Sequence, residues 1–535
     1  MTIKNGKLKK LPSVIFISLI PGLLSSSLLA KDWKVEPTVK VATIYSDNIE
    51  LEANGESDLV LEVSPGVSIS REGRRLRVNL DYNLQNLTYA DNGDLDSSNH
   101  RLSASANSEL LAETLFLDLR SSISQQLTDR RASASSDGIA GSGNLSDVTS
   151  YSISPYWQQR LGDVADFELR YTFDRVTSDD SVGSGDDSDS NGVSFDMQNG
   201  PATGRINWTI SHQSEQIRYD DGGKSDTELT NARLGYQLTR TLNAFVSRTE
   251  EDNEFSGNRG DNEPEDSTSG VGVTWTPSQD FSFTIAHNKR LDPRPNEDEN
   301  FLSGDLFWAP TARTDISLGY GSRFFGKTYN GSINHRTRWT RWNLSYDEGV
   351  SDFRSLVTQQ NSLACTTPVS QASACRILLP NQQPSAGEVV IPVSDPAALR
   401  FLGQTGSISD DTFINETARA SVSIVGAQNT ITFSLTDTKR TFVADNNTEE
   451  DSSVDLSWTH QLAARTDSRL TIGHTKEQFD NSEEDDFMRY AWRVTRQIAD
   501  SSVFYVEFQA NDRDSDVVSR EYDENRLTVS FQKFF

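Results

Sequence analysis

The amino-acid sequence predicts an all-β protein, a transmembrane antiparallel up-and-down β-barrel of about 24 strands, within roughly 20 to 26. Three observations carry this expectation. Apolar side chains recur at every second position in segment after segment, the mark of a strand with one greasy face. Short and long connections alternate, as in barrels with short periplasmic turns and longer external loops. The chain ends on an amphipathic strand whose last residue is Phe535.

Residues 1–30 read as a secretory signal peptide. Lys4, Lys7, Lys9 and Lys10 precede a mostly apolar stretch from Leu11 to Leu29, and small residues follow at Ser25, Ser26, Ser27 and Ala30, with cleavage expected after Ala30 or Ser27. Residues 31–535 are then one barrel domain. Past residue 30 no apolar run reaches the ~18 residues that a membrane helix needs, which excludes an inner-membrane helical protein. Only 35% of the chain is hydrophobic and the mean hydropathy is −0.56, poor for one large soluble core. A wide barrel resolves this, because only the lipid-facing half of each strand must be apolar. Disorder is the competing explanation of low hydrophobicity and a net charge of −28, but 9 Trp, 14 Tyr and 25 Phe set in strand rhythm argue against it. The same acidic balance argues against a nucleic-acid partner, whose phosphates demand basic surface.

Leu76 to Leu84, Phe167 to Asp174 and Val454 to His460 alternate without a fault. The connections begin long at Ser46–Ser57, short at Arg71–Arg75, long at Ala90–Asn99, short at Leu111–Glu113 and long at Thr128–Asp147. The rhythm continues to a long Asp512–Asp523 before the closing strand, with only moderate length after Phe325 and Lys439. An even strand count puts both termini on the periplasmic side. Trp33, Trp157, Trp208, Trp275, Trp308, Trp339, Trp342, Trp458 and Trp492 all fall toward the short turns or the N-terminus. Tryptophan favours the membrane–water boundary, so the nine sketch a periplasmic girdle; a mere preference for strands would scatter them over both ends.

His212, His287 and His474 end strands at the opposite rim on the apolar parity. A base in a barrel hydrolase is the sharper reading, but that parity turns the rings outward and no motif places a serine or acid beside them, so no enzyme is expected. Ser178 to Asp189, Glu250 to Asp266 and Glu483 to Asp486 are dense in carboxylates. They lack the spacing of an EF-hand loop and read as solvated loops, bridged by divalent cations to lipopolysaccharide. No metal or cofactor is expected.

Asp347–Thr412 is far longer than an ordinary loop and carries Ile377 to Leu379, Val389 to Ile391 and Leu399 to Leu402, more apolar surface than water-exposed loops carry. Its Cys365 and Cys375 are the only cysteines. In an exported chain they are expected to pair, a short-loop disulfide worth about 3 kcal/mol in the chain-entropy account. The tied segment is expected either to fold inward as a constriction or plug, or to cap the mouth and meet a partner.

In the last strand Leu527, Val529, Phe531 and Phe535 share one face and Arg526, Thr528, Ser530 and Gln532 the other. This resembles the closing strand of bacterial outer-membrane barrels, whose last residues address the barrel-assembly machinery, with Lys533 where an apolar residue is usual. Trp33 to Val39, Thr43 to Ile49, Ser57-Asp58, Val63 to Gly66, the strand of Tyr82, Glu109 to Leu111, Leu115 to Asp118, Ser154 to Tyr156 and Leu169 to Tyr171 follow in order. Together they resemble the outer-membrane β-barrel family associated with the PEP-CTERM and exosortase system. The resemblance covers the mature chain, is densest before about residue 175, and implies a role in moving or anchoring surface polysaccharide; it carries no defined active site.

In such a barrel Arg77, Asp81, Glu168, Arg170, Asp174, Arg205, Arg233 and Arg469 have the parity of the lumen. Their mixed sign suits a hydrated wall tolerant of sugars more than a strong ion selector. The leading expectation is a passive channel or accessory component for exopolysaccharide in the cell outer membrane, beside a structural or adhesive surface barrel and, third, a barrel hydrolase. Deleting Asn361–Phe401 tests the long loop: a plug predicts higher single-channel conductance, and an unchanged conductance eliminates it.

Overall fold

The computed structural model describes residues 33–129, 131–132, 135, 137–179, 187–220, 222–256, 265–291, 293, 298–352, 412–479 and 481–535, and the backbone of 362–365, 375–378 and 389–392. The signal peptide expected over residues 1–30 lies outside them.

Twenty-four strands pair antiparallel, each with its neighbour in sequence. The first, Trp33–Ser46, also pairs with the last, Tyr522–Phe534, from Ser46 opposite Arg526 to Thr38 opposite Phe534, which closes the sheet. Closure leaves no open edge, the condition for strands to cross lipid with every backbone group satisfied. Among the described residues no helix is long and apolar enough to cross a membrane; the crossing is made by strands.

Parity holds round the whole ring. In the closing strand Leu527, Val529 and Phe531 are exposed, while Glu524, Arg526, Thr528 and Ser530 are buried. Partners directly opposite share a face, so the register carries this division from strand to strand. On the first strand Val41 and Tyr45 are exposed and Ala42, Ile44 and Ser46 buried. The exposed set forms an apolar outer band far larger than a soluble protein leaves uncovered, whereas the inner wall is dominated by Ser, Thr, Asn and charged residues.

The predicted turns stand where period two breaks, with three differences. Strands run to 17 residues at Leu145–Leu161, where about 9 to 11 suffice to cross, so the wall continues above the membrane. Much of the acid-rich Glu250–Asp266 is therefore strand rather than loop: Leu242–Ser256 pairs with Lys224–Gln237, and Lys224 bonds Glu254. Above the lipid both faces meet water, and carboxylates cost little there. Glu484 to Asp486 belong to a strand for the same reason. Second, Phe324-Phe325 forms a two-residue hairpin between Thr314–Arg323 and Gly326–Arg336, so the external connection there is as short as the periplasmic ones. The rings of Phe324 and Phe325 pack edge to face, 5.0 Å apart. Third, Thr340–Asp352 extends past Asp347, so the long connection begins later than expected.

Rim height is uneven. Phe281–Arg290, Asn300–Thr311, Thr314–Arg323 and Gly326–Arg336 have 10, 12, 10 and 11 residues, against 14, 15, 14 and 15 for the first four strands of the barrel. Within the long connection Ser362–Cys365 pairs with Cys375–Leu378 and Val389–Pro392 in a separate three-stranded sheet.

The division of faces predicts opposite effects at adjacent positions near mid-strand. Leu435 is exposed on the lipid side and Ser434 faces the lumen. Leu435→Arg is expected to destabilise the barrel by about 2–4 kcal/mol in denaturant titrations in lipid vesicles, and Ser434→Arg to leave the midpoint nearly unchanged.

Candidate functional site

The candidate site is the lumen and what fills it. Its wall is laced with ion pairs: Lys40–Glu62 at 2.9 Å, Arg170–Asp118 at 2.9 Å, Arg290–Asp266 at 3.0 Å, Arg440–Asp451 at 2.6 Å and Arg493–Glu507 at 2.7 Å. Arg513 pairs with Asp485 fully out of water. Of the residues given lumen parity from sequence, Arg77, Asp81, Glu168, Arg170, Asp174, Arg233 and Arg469 stand on this wall. Arg205 does not: Ile206–Tyr219 begins one residue later, and Arg205 lies exposed in the turn.

The described filling comes from a loop that the sequence did not single out. Between Leu127 and Leu145–Leu161 the described residues of the connection, 128–129, 131–132, 135 and 137–144, turn inward. Asn144 ties its base, accepting from the Asp129 N–H at 2.9 Å and donating to the Asp129 and Ala132 carbonyls. The Ser135 hydroxyl oxygen accepts from the N–H groups of Ile139 and Ala140 and folds the tip into a tight turn, helped by left-handed Gly138 at φ 72°. Ile139 and Ala140 thereby bury themselves on Ala42, Ile44, Val60, Leu87 and Tyr89, together with Ile49 and Leu51 from the first external connection. Burying an isoleucine contributes about 1.5–3 kcal/mol. The contact also holds Leu51 at φ 59°, a left-handed backbone that a bulky side chain seldom adopts. The Gly141 N–H donates to the Ile49 carbonyl at 2.9 Å and the Tyr89 hydroxyl to the Ile139 carbonyl at 2.7 Å.

Two charged contacts extend the loop along the wall. Arg526 forks onto Asp137 at 3.1 and 2.9 Å, while Arg101 and Gln85 donate to the Asp137 carbonyl. Farther on, Arg513 donates to the Arg131 carbonyl at 2.8 Å, and the Arg131 and Arg520 guanidinium groups each lie 5.5 Å from the Phe479 ring. From the strand of Arg513 to that of Arg101, the loop reaches six of the 24 strands.

The plug expected in Asp347–Thr412 falls largely outside the described residues. Its backbone register sets Cys365 opposite Cys375, and their side chains are among those not described. Tryptophans 157, 275, 308, 339, 342, 458 and 492 are exposed near the short turns; Trp208 is half-buried in the same zone, and half-buried Trp33 has Arg71 5.3 Å from its ring. Trp339 sits in the turn itself, since its strand begins at Thr340. The indole N–H groups of Trp342, Trp458 and Trp492 donate to Thr340, Asn429 and Ser468. Phe535 lies beyond the last strand, its N–H donating to the Pro37 carbonyl. His212, His287 and His474 stand on the outer parity, away from the lumen. Among the described residues no three metal-ligating side chains converge.

No protein-family profile and no curated protein sequence matches the chain. Solved structures similar to it include a mutant ferric enterobactin receptor PfeA from Pseudomonas aeruginosa, with 8% identity over 94% of this chain and 81% of that one at a TM-score of 0.44. The FrpB iron transporter of Neisseria meningitidis gives 9%, 95%, 82% and 0.43. A loop-deletion mutant of OmpT, an outer membrane protein of Vibrio cholerae, gives 8%, 94%, 100% and 0.30. At these values the likeness says nothing of what this barrel carries, and the fold rests on its own strand register.

Burial by itself pushes the Asp137 carboxyl up; Arg526, the Ser135 hydroxyl, Lys40 and Arg101 outweigh it and hold the group at about 2. An unfolded aspartate titrates near ~3.9. The carboxylate therefore supports docking fully above about pH 4, and that support is lost as pH falls toward 2. Single-channel conductance is expected to rise over that window. Glu62, Glu507 and Glu524 face the same space, so Asp137→Asn is the control: it should show the raised conductance at pH 7 and no step on acidification.

Proposed function

We propose that the protein is a water-filled channel of the outer membrane that serves the passage or surface assembly of exopolysaccharide. The observation that carries this reading is a closed 24-strand wall whose inner face is polar and ion-paired. Barrels of about 16–18 strands leave an aqueous channel and those of about 22 hold a plug; among the described residues the docked loop reaches six strands of this wall. Paired charges of both signs give a wall that hydroxyl-rich solutes can hydrogen-bond without a strong field to exclude them. The polysaccharide itself is suggested by the sequence resemblance to barrels of the exosortase system.

In this reading the signal peptide exports the chain, the assembly machinery engages the closing strand of Leu527, Val529 and Phe531, and lipid and lipopolysaccharide surround the outer band. Export components of the polysaccharide meet the periplasmic mouth. Liposome swelling with neutral maltooligosaccharides checks the channel, after a heat-modifiability gel has established a folded barrel. Swelling that declines with sugar length is expected; folded protein that admits none of the sugars leaves an anchor for surface loops instead.

A further inference from the structure

Asp137 is not part of the wall, yet the wall is built around it. Arg526, nearly fully buried, grips both of its carboxylate oxygens, the planar fork with which a guanidinium recognises a carboxylate. Lys40, Arg101 and Arg493 are close enough for their charges to act on the same group. These four cations come from four strands: Trp33–Ser46, Ser97–Leu111, Glu484–Ala499 and Tyr522–Phe534. The wall itself supplies carboxylates against them. Glu62 pairs with Lys40 at 2.9 Å and Glu507 with Arg493 at 2.7 Å. Glu524 acts on Arg526 while accepting hydrogen bonds from Ser46 at 2.8 Å and Asn511 at 2.6 Å.

Asp137 adds the carboxylate that sits in the Arg526 fork, while Asp147 of Leu145–Leu161 also acts on Arg101. Without the loop Arg526 keeps the Gln509 side-chain oxygen at 2.8 Å and the charge of Glu524 nearby, but no carboxylate stands in its fork, and the fork is open to another. The partner does not have to be Asp137. The loop that brings it is a Ser- and Gly-rich segment held elsewhere by buried Ile139 and Ala140, by hydrogen bonds, and by Arg131 against the Phe479 ring.

We infer that Arg526, with Arg101, Lys40 and Arg493, forms a carboxylate-binding site in the lumen, and that Asp137 occupies it in place of the carboxylate of an acidic saccharide of the uronate type. The incoming carboxylate takes the Arg526 fork, Asp137 is released, and the loop leaves the wall. The sugar in this inference rests on the proposed function; the anion site rests on the geometry alone.

The test is equilibrium binding to the folded full-length barrel in detergent, which needs no permeation and so stands apart from the swelling assay. Calorimetric titration with trigalacturonate is compared with maltotriose and with inorganic phosphate. Expected are measurable binding of trigalacturonate, at least tenfold tighter binding by Asp137→Asn because the internal competitor is gone, and loss of binding in Arg526→Gln. Arg101→Gln provides a second, milder variant, expected to weaken binding at least threefold, should Arg526→Gln fail the heat-modifiability test. A purely structural role of the Asp137–Arg526 pair predicts that Asp137→Asn does not tighten binding, and that result overturns the inference. Maltotriose binding as tightly as trigalacturonate overturns the anion site, and phosphate binding as tightly as trigalacturonate overturns the saccharide assignment. Swelling without uronate preference in binding removes this inference while leaving the channel in place.

Discussion

Every feature of this molecule follows from the requirement that a polypeptide crossing lipid leave no backbone N–H or carbonyl unpaired. A sheet meets it only by closing on itself, and here the closing contact is between the first strand, Trp33–Ser46, and the last, Tyr522–Phe534. Once the ring is closed, strict alternation assigns each side chain to lipid or to the lumen, and a shift of one residue in any strand would exchange the two. The greasy exterior and the wet interior are thus one decision made at each ladder. The ion pairs of the inner wall are its by-product: polar parity concentrates charge on a surface where it must be compensated across strands.

That logic explains what was legible in the sequence. Period two located the strands and its interruptions located the turns, because lipid on one side and water on the other impose contrast at every residue. Contrast fades above the membrane, where both faces are wet. There Glu250 to Ser256 and Glu484 to Asp486 read as acidic loops although they continue the ladder. Intrinsic strand preference is low for such residues, and pairing with an already formed neighbour overrides it. The two-residue turn at Phe324-Phe325 was obscured for a related reason, since flanking glycines and polar residues resemble a longer connection.

The docked loop was missed on different grounds. Loop length and apolar runs directed attention to Asp347–Thr412, whereas residues 128–144 offer mostly Ser, Gly and Ala, with Ile139 as the one large apolar side chain after Leu127. The signal lay on the other partner. Ala42, Ile44, Val60, Leu87 and Tyr89 are apolar at lumen parity, so that patch of wall is greasy on both faces. An apolar patch inside a wet barrel requires a cover, and one isoleucine is enough to mark which loop supplies it.

The uneven rim gains meaning beside that loop. Twelve strands round from Asp58–Glu72, under the docked segment, lies Asn300–Thr311, in the middle of the shortest strands. Among the described strands, the longer ones that carry the docked loop therefore stand opposite the shortest. Backbone ladder beyond the span that lipid requires is thus concentrated where the loop docks, and gives that loop a wall to lean on.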